Sequence, residues 1–356
     1  MKPAITSRRP LAVVVLALLL AAPGPAHGQL ITKKLERYLY LITIDSKALR
    51  GNLIGDPSRR EMAVLLPPVY YKEPRKRFPV VYLLHGLGQR KEGHVQTARM
   101  FEMFFDTMKA GKLAPMILVA VDGSTAFGGS YYSNSPTIGN FEEYVAVEIV
   151  GKVDSLFRTD NSRGGRAIGG FSMGGFGAIK LGMKYGQMFS QVGSLSGSPL
   201  AIRYRKQIYK TALLNHKTPA SLEELRQNVT FEKNWSLSAA YAKAAAFSPN
   251  PSKPPFYLDL PFQRQDTDED DPVWQRWWDD DPLAAVAASQ KILRNMEMIY
   301  LDQGDDETTL GTEEFDRELT RYGIGHTHNI FRGDHVDRFP ERYLRMLRMF
   351  AVKWGY

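Results

Sequence analysis

Apolar residues along most of the chain fall into two alternating patterns. One is a largely apolar run that stops at a glycine, as in FPVVYLLHG (78–86) and APMILVAVDG (114–123), and MEMIYLDQG (296–304) is also strand-like. Such runs are typical of strands buried on both faces of a sheet. The other is an amphipathic stretch of helical period, as in GGFGAIKLGMKYG (174–186) and PERYLRMLRMFAVKWG (340–355). Their alternation predicts an α/β fold with a mostly parallel central sheet and helices on both faces.

The alternation breaks down between about residues 198 and 288. Short helical pieces are followed there by a stretch in which prolines, aromatic residues and acids crowd together without a sustained period. The regular pattern resumes with the strand-like run at 296–304. We therefore expect residues 29–356 to form one domain that carries an irregular, lid-like insertion at about 198–288.

The N-terminus has the three-part pattern of an export signal. A basic segment precedes an apolar run of 12 residues, LAVVVLALLLAA (11–22), and Ala26 and Gly28 have the small side chains of a cleavage site. A membrane span needs about 20 apolar residues, so this run predicts a signal peptide at 1–28 rather than an anchor. We expect cleavage near Gly28, export to the periplasm or the medium, and no stable membrane insertion.

Composition excludes several kinds of site. The chain contains no cysteine, which rules out disulfides, thiolate metal ligands and a cysteine nucleophile. The formal net charge is +8, and it falls to +5 when the three basic residues of the signal are removed. Basic residues are scattered rather than gathered in a patch, so nucleic acid is not indicated as a partner. Nothing in the sequence specifies the oligomeric state.

A serine lies among glycines in RAIGGFSMGGFGAIK (166–180), where a strand pattern changes into a helix pattern. Gly170, Ser172 and Gly174 form the G-x-S-x-G motif of a nucleophile elbow, in which the small residues allow a tight turn. A serine hydroxyl is a weak nucleophile until a base accepts its proton and donors stabilise the developing negative charge. The motif and its context predict that Ser172 is a catalytic nucleophile.

Two backbone N–H groups are predicted to be the oxyanion donors. The segment LLHGLG (83–88) ends a buried strand, and its turn can present the N–H of Leu87. The residue after the nucleophile, Met173, supplies the second N–H in sites of this type. We interpret His85, in the same turn, as a residue that holds the loop through hydrogen bonds rather than as a proton carrier.

The general base and its orienting acid are expected late in the chain, in the order serine, acid, histidine. His335 in RGDHVDRF (332–339) lies between the last strand and the last helix and is the candidate base. Asp305, Asp306 and Glu307 follow the preceding strand, and one of them should orient the His335 ring. Spacing alone does not say which of the three it is.

Together these residues resemble those of the alpha/beta-hydrolase esterase family that includes esterase D, S-formylglutathione hydrolases, feruloyl esterases, enterochelin esterase-like proteins and mycolyltransferases. The resemblance rests on FPVVYLLHGLG, VDGS, GGFSMGGFGAIKLGMKYGQMFS, SLSGS, YLDQG and RGDH, and extends from about Ile42 to Trp354. It is weakest across the insertion. It implies an alpha/beta-hydrolase fold and a serine esterase that needs no cofactor and no metal.

The resemblance also bears on the acid and on the pocket. In the family the acid is commonly an aspartate three residues after the glycine that ends the strand. Glu307 holds that position here, whereas Asp306 would need a shift of one residue, so Glu307 is the predicted acid and Asp306 the alternative. The family likeness further implies that residues 122–136 form a wall of the substrate pocket.

The predicted reaction is hydrolysis of a small-molecule or carbohydrate-linked ester through an acyl-enzyme on Ser172. Acyl transfer to a sugar or lipid acceptor is an alternative, because water and an acceptor use the same acyl-enzyme. A non-catalytic carbohydrate- or siderophore-binding protein is a second alternative, although it predicts a broken set of catalytic residues. The identity of the ester stays open, because one fold hosts many substrates.

Aromatic residues of the insertion suit two roles. They could line an acyl pocket, or they could pack inside the lid, which is the commoner role of such side chains. The residues concerned are Phe256, Tyr257, Trp274, Trp277 and Trp278.

Metal binding is considered at two places and is not favoured at either. His326 and His328 are two residues apart on a predicted strand and share one face. The segment DTDEDD (266–271) resembles the start of a calcium loop, but Asp271 and Trp277 occupy positions that require glycine and glutamate. We expect this segment to be a solvated acidic loop, and we interpret Asp302, inside a strand, as a structural charge.

Overall fold

The central feature of the computed structural model is an eight-stranded sheet. The structure describes residues 35, 37–88, 93–197, 202, 205–262, 271–308 and 311–356, so the signal peptide predicted at 1–28 lies outside the described residues. The strands, including a short separate pair formed by β5 and β6, are β1 Leu39–Asp45, β2 Arg59–Leu65, β3 Val80–Leu84, β4 Ile117–Val121, β5 Asn134–Ser135, β6 Gly139–Asn140, β7 Arg166–Phe171, β8 Gln191–Leu195, β9 Met298–Gly304 and β10 Thr327–Phe331.

Helices fill most of the connections between these strands. A π-helical turn, Tyr144–Ile149, joins the second and third of them. The described α-helices are α1 Gly93–Lys109, α2 Phe141–Glu143, α3 Val150–Leu156, α4 Met173–Lys184, α5 Lys206–Leu214, α6 Leu222–Asn228, α7 Trp235–Phe247, α8 Pro272–Asp279, α9 Pro282–Arg294, α10 Thr312–Arg321 and α11 Phe339–Lys353. None of the helices described is both long and apolar enough to cross a bilayer.

The strand order places a topological switch point in the middle of the sheet. The order is β1-β2-β4-β3-β7-β8-β9-β10, with β1 and β2 antiparallel to their neighbours and all other pairs parallel. From β3 the chain first moves to β4 on one side and later to β7 on the other. Ligands bind at such points, at the carboxyl ends of parallel strands. The loops after β3 and β7 are therefore the first place to seek a site.

The apolar runs are explained by burial on both faces of the sheet. Val80, Tyr82 and Leu84 of β3 belong to one apolar cluster, and Val81 and Leu83 belong to the other. Helix α4 packs in the first cluster, and helices α1 and α11 pack in the second. The predicted α/β architecture with a mostly parallel sheet and helices on both faces is confirmed.

The segment between β8 and β9 contains more regular structure than its composition predicts. Residues 272–288, expected to be largely irregular, form helix α8 and the first half of helix α9, with a short break between them. Each of these helices begins with an aspartate followed by proline, at Asp271 and Asp281. Asp271 accepts hydrogen bonds from two backbone N–H groups in the first turn of its helix, and Asp281 accepts one. Proline suits the first helical position because its N–H would be unpaired there. The two Asp-Pro pairs were readable helix starts.

Helix α4 begins unusually close to the end of β3. A β-carbon added at Gly174 would overlap the backbone carbonyl oxygen of Leu84, and one added at Gly170 would lie 2.5 Å from the backbone carbon of Gly174. Only glycine allows the strand end and the helix start to approach in this way. The spacing of the G-x-S-x-G motif is thus a packing requirement of the sheet.

Gly174→Ala should therefore destabilise the protein strongly. A methyl group has no space beside the Leu84 carbonyl, and we expect a loss of about 3 kcal/mol, or a fall of about 5–10 °C in Tm for a domain of this size. Gly151→Ala is the matched control, because a β-carbon there meets nothing within 4 Å and Gly151 is helical. Its Tm should be unchanged or slightly higher. Equal Tm values for the two variants in calorimetry would contradict the packing argument.

Candidate active site

Ser172 occupies a strained turn between β7 and α4. Its backbone angles are φ 55° and ψ −118°, a combination that residues with a side chain rarely adopt. The turn is held because the N–H of Ser172 donates to the carbonyl of Leu195, and the carbonyl of Ser172 accepts from the N–H of Phe176. The strain points the hydroxyl away from the sheet and toward the loops that follow the neighbouring strands.

A continuous series of hydrogen bonds connects Ser172, His335 and Glu307. The His335 Nε2 lies 2.9 Å from the Ser172 Oγ, and the His335 Nδ1 lies 2.5 Å from the Glu307 Oε1. Ser172 follows β7, Glu307 follows β9 and His335 lies between β10 and α11. Three loops at one edge of the sheet thus bring together side chains that are far apart in sequence.

The three candidate acids lie in different surroundings. Glu307 is buried and bonded to His335, whereas Asp305 and Asp306 are exposed. Asp305 accepts a hydrogen bond from the N–H of Gly333, which fixes the loop that carries the histidine. Asp306 has only its backbone N–H directed at the carbonyl of Gly333, 3.4 Å away. Of the three carboxylates, only Glu307 lies beside the imidazole.

The second carboxylate oxygen of Glu307 is also satisfied. Its Oε2 accepts from the N–H of Gly304 at 2.7 Å and from the Ser196 hydroxyl at 2.6 Å. Burial alone would raise the pKa of Glu307, but the hydrogen bonds from His335, Gly304 and Ser196 outweigh burial and lower it. The carboxylate is therefore held in its ionised form beside the imidazole.

A buried ion pair lies behind the acid. Arg342 and Asp302 are 2.8 Å apart with side chains 4% and 0% exposed. The Arg342 guanidinium also donates to the Ser196 Oγ at 2.5 Å and to the backbone carbonyl of His335 at 2.9 Å. Arg342 thus contacts both the residue that supports Glu307 and the loop that carries the base.

Sequence reasoning identified only part of this network. Asp302 was interpreted as a structural charge, but Arg342 and the role of Ser196 were missed. A signal for Arg342 existed, because it is a basic residue within the apolar pattern of the last helix, where a buried cation needs a partner.

The predicted oxyanion donors lie beside Ser172. Leu87 and Met173 both line the cavity that contains the Ser172 side chain. Among the residues the structure describes, no acceptor is hydrogen-bonded to the backbone N–H of either residue. Both N–H groups are therefore free to bind an oxyanion.

His85 links the loops that follow β3 and β4. Its Nε2 accepts from the N–H of Gly123 at 2.8 Å, so the proton is on Nδ1, which lies 2.8 Å from the carbonyl of Gly86. These contacts agree with the interpretation of His85 as a loop-holding residue. They fix the turn that carries Leu87.

The cavity in front of Ser172 has a volume of about 310 Å³, and five of its 13 lining residues are tyrosine, phenylalanine or tryptophan. Tyr131 comes from the loop at 122–136, where the resemblance placed a pocket wall, and most of the remaining wall comes from the segment between β8 and β9. The lining residues are Leu87, Tyr131, Ser172, Met173, Phe176, Gly197, Arg205, Tyr209, Phe231, Trp235, Ala239, Lys243 and His335.

Phe231 also packs on the loop that carries Leu87 and Gly88. Gly88 has φ +81°, and a β-carbon at this position would lie 2.6 Å from the Cβ of Phe231. The glycine therefore serves both the turn and the close approach of the phenylalanine. Neither Phe231 nor Trp235 was predicted from the sequence as a pocket residue.

The aromatic residues that were considered for the pocket pack elsewhere. Trp277 is fully buried, stacks near Tyr209 and donates its indole N–H to the Ser248 hydroxyl at 2.8 Å. Trp274 packs against Trp277, with 5.6 Å between ring centroids. None of the five predicted candidates lines the cavity in front of Ser172. All of them except Trp278 belong to the apolar core or pack against it.

The histidines considered for a metal both face Asp316. His326 Nε2 lies 2.8 Å from its carboxylate, and His328 Nδ1 lies 3.4 Å away. Within the described ranges, no group of three or more histidine, aspartate or glutamate side chains is arranged to hold a metal ion. Residues 266–270 of the acidic segment lie outside those ranges, and Asp271 caps helix α8.

Comparisons with known proteins agree with this geometry. An esterase of Mycobacterium tuberculosis is 39% identical over 145 residues, which cover 39% of this chain and 29% of that protein. An endo-1,4-beta-xylanase/feruloyl esterase of Xylanibacter ruminicola is 29% identical over 147 residues, which cover 37% of this chain and 20% of that protein. The chain thus matches less than a third of the length of each of these relatives.

Solved structures share the fold. A ferulic acid esterase has a TM-score of 0.54 and 19% identity, with 89% of this chain and 98% of that chain covered. An S-formylglutathione hydrolase from Agrobacterium tumefaciens has a TM-score of 0.54 and 18% identity, with 88% and 95% covered. These similarities confirm the alpha/beta-hydrolase fold. A family model described as "Putative esterase" matches residues 57–337, well over half of the chain, and the chain therefore belongs to the esterase family.

Proposed function

We propose that the protein is an exported serine esterase that hydrolyses carboxylic esters through Ser172, His335 and Glu307. The observation that carries the proposal is the continuous hydrogen-bonded series of these three side chains at one end of an aromatic cavity. Family membership supports the same reaction class. The arrangement has the geometry of a nucleophile, a general base and an orienting acid.

In this mechanism the Ser172 Oγ attacks the ester carbonyl while His335 Nε2 accepts the hydroxyl proton. The carbonyl oxygen becomes an oxyanion, which the N–H groups of Leu87 and Met173 stabilise. The tetrahedral intermediate collapses, His335 gives its proton to the departing alcohol, and the acyl group remains on Ser172. Water then attacks the acyl-enzyme with the same base, which releases the acid and restores the serine.

Glu307 acts by charge and orientation. Its carboxylate accepts the Nδ1–H of His335, so Nε2 is left free to accept the serine proton, and it stabilises the imidazolium that forms. Its hydrogen bonds to Gly304 and Ser196 keep the carboxylate from turning away. Arg342 is a positioning residue because it contacts Ser196 and the backbone of His335 rather than the reacting atoms.

The acyl group of the substrate is proposed to bind in the aromatic cavity. Tyr131, Phe176, Tyr209 and Trp235 give this cavity flat apolar surfaces on which an extended or aromatic acyl chain can pack. Two proteins similar to this chain carry feruloyl or ferulic acid esterase in their names. This supports an aromatic acyl group as one class of substrate.

The lid and export assignments are part of the same proposal. Six of the 13 residues that line the cavity come from within 198–288, which supports the interpretation of that segment as a lid-like insertion. Export is supported by the signal pattern at 1–28. Because the processed chain would begin after Gly28, the mass of the intact protein recovered from an exporting host reports on this step.

A fluorophosphonate should label Ser172 and no other residue. Attack by an activated serine forms a stable phosphonyl adduct, so we expect a single addition in intact mass and loss of hydrolysis of 4-nitrophenyl esters. The Ser172→Ala variant should take no adduct, and its turnover should fall by about 10⁴-fold or more. Adduct formation in Ser172→Ala, or neither adduct nor turnover in the wild type, would refute the proposal.

Replacing Glu307 should lower kcat strongly, whereas replacing the neighbouring Asp306 should leave kcat nearly unchanged. Glu307→Gln keeps the size of the side chain but removes the charge beside His335, so we expect kcat to fall by about 10²- to 10⁴-fold. Asp306→Asn changes an exposed group that does not touch the imidazole, and kcat should stay within about twofold. A larger loss in Asp306→Asn than in Glu307→Gln would assign the acid to Asp306.

The lowered pKa of Glu307 also predicts how stability depends on pH. A carboxyl whose pKa is lower in the folded state stabilises that state above its unfolded pKa, and this stabilisation is lost as the pH falls through the folded pKa. The difference in Tm between wild type and Glu307→Gln should be constant above about pH 5.5 and should shrink below about pH 4.3. Calorimetry from about pH 7 to about pH 3 measures this. A difference that grows on acidification would contradict the lowered pKa.

A further inference from the structure

Lys243 is a buried lysine in the wall of the cavity in front of Ser172. It belongs to helix α7, in which 11 of 13 residues are buried, and only 3% of its own surface is exposed. It lines the same cavity as Ser172 and His335. Lysine is rarely buried without a partner, because its ammonium loses hydration that the protein must replace. The mechanism proposed above gives this side chain no task.

Aromatic rings replace only part of the lost hydration. The Lys243 Nζ lies 3.7 Å from the centroid of the Tyr131 ring and 5.6 Å from that of Tyr209, which are favourable cation–π positions. Among the described residues it has no ion pair and no hydrogen bond. Asp281 acts on it only at longer range, and one oxygen of that carboxylate accepts the N–H of Leu283 at the start of helix α9.

The charge balance of the cavity favours an anion. Arg205 lines the same cavity, with its guanidinium 5.1 Å from the ring centroid of Trp235. Among the described residues that line it, none is an aspartate or a glutamate. Burial, and then the positive charge of Arg205, lower the pKa of Lys243 well below its usual value, while Asp281 opposes this. An anionic ligand beside the Lys243 Nζ would offset the free-energy cost of burying its positive charge.

We propose that Lys243, assisted by Arg205, binds an anionic oxygen group carried by the ester substrate. The preferred substrates are then esters with a free carboxylate, placed so that the ester carbonyl reaches Ser172 while the carboxylate lies at Lys243. This inference rests on the proposed esterase function and adds the substrate class. The aromatic wall would bind the chain between the two ends, and the two cations would select its charge.

The alternative is that Lys243 is only a packing residue whose stem covers apolar surface. Both roles predict that its removal perturbs the site, so loss of activity alone does not separate them. They differ in charge discrimination, because a packing residue does not distinguish a carboxylate from an uncharged group of the same shape. The ratio of kcat/KM for two such substrates is therefore the informative measurement.

Two matched pairs of esters provide this ratio. The first pair places the charge on the acyl group and consists of the 4-nitrophenyl esters of adipate (as its monoester) and 6-methylheptanoate. The second places it on the leaving group and consists of 4-(carboxymethyl)phenyl butyrate and 4-isobutylphenyl butyrate. In each pair an isopropyl group replaces the carboxylate. The two pairs show on which side of the ester the carboxylate binds.

We expect wild type to prefer the carboxylate member of at least one pair by about 10-fold or more, the range of a hydrogen-bonded charge. In Lys243→Met this ratio should fall toward one. Lys353→Met is the control, because Lys353 is exposed in the last turn of α11, and it should keep the wild-type ratio. A wild-type ratio near one in both pairs, or an unchanged ratio in Lys243→Met, would overturn the inference.

Arg205→Met carries the test if Lys243→Met does not fold, as judged by its Tm. This side chain is only partly buried, and its loss should reduce the same ratio, whereas an unchanged ratio would overturn the inference. Failure of the esterase proposal looks different. In that case the wild type would hydrolyse neither member of a pair and take no fluorophosphonate adduct, whereas a failed inference leaves the adduct and the hydrolysis of the uncharged esters intact.

Discussion

The buried negative charge of Glu307 is the constraint on which the rest of the site depends. A carboxylate in this position is stable only if every oxygen is hydrogen-bonded, and the donors come from the last residue of β9, Gly304, and from two loops that carry Ser196 and His335. Asp302 and Arg342 lie directly behind as a neutral pair. The cluster as a whole therefore carries one net negative charge while the imidazole is neutral. Transfer of the serine proton to His335 would bring the net charge of the cluster to zero, so the surroundings favour the charge distribution that the proposed mechanism requires.

The sheet makes this arrangement possible. The strands β3, β7, β8, β9 and β10 are parallel, so their carboxyl ends meet at one edge. The loops at this edge supply, in the same order, Leu87, Ser172, Ser196, Glu307 and His335. Each residue lies at or close after a buried strand end, which fixes its backbone. The segment between β8 and β9 then covers the edge and provides most of the cavity wall.

Local patterns made the framework predictable. Continuous apolar runs ending at glycine identify buried strands, and the glycines around Ser172 identify a turn in which a side chain would clash with the neighbouring strand. The catalytic roles assigned to Ser172 and His335 stay predictions, although the structure places the two residues in contact. The sequence left the acid open between Glu307 and Asp306 because adjacent residues in a loop can point in any direction. In the structure Glu307 is buried and Asp306 is exposed, and the hydrogen bonds around Glu307 involve Ser196, which in turn contacts Arg342, both far away in sequence.

The cavity wall was much harder to predict. Phe231, Trp235 and Lys243 lie in a segment without a sustained pattern, and a lysine in an alanine-rich helix is ordinarily a solvated one. The burial of Lys243 results from the packing of α7 against neighbouring helices, and no local sequence pattern predicts that packing. Helices α8 and α9 were obscured by their crowded acids and tryptophans, although the Asp-Pro pairs at their starts were a usable signal.

The contact between Phe231 and Gly88 joins two parts of the protein that are usually considered separately. Phe231 belongs to the segment that shapes the cavity, and Gly88 follows Leu87, whose N–H is the proposed oxyanion donor. A substitution that displaces Phe231 is expected to displace the loop of Gly88 as well, because the two residues are in close contact, and so to move the N–H of Leu87. Substitutions in this segment that change substrate preference are therefore expected to change the rate of the chemical step as well, so the two properties would not evolve independently.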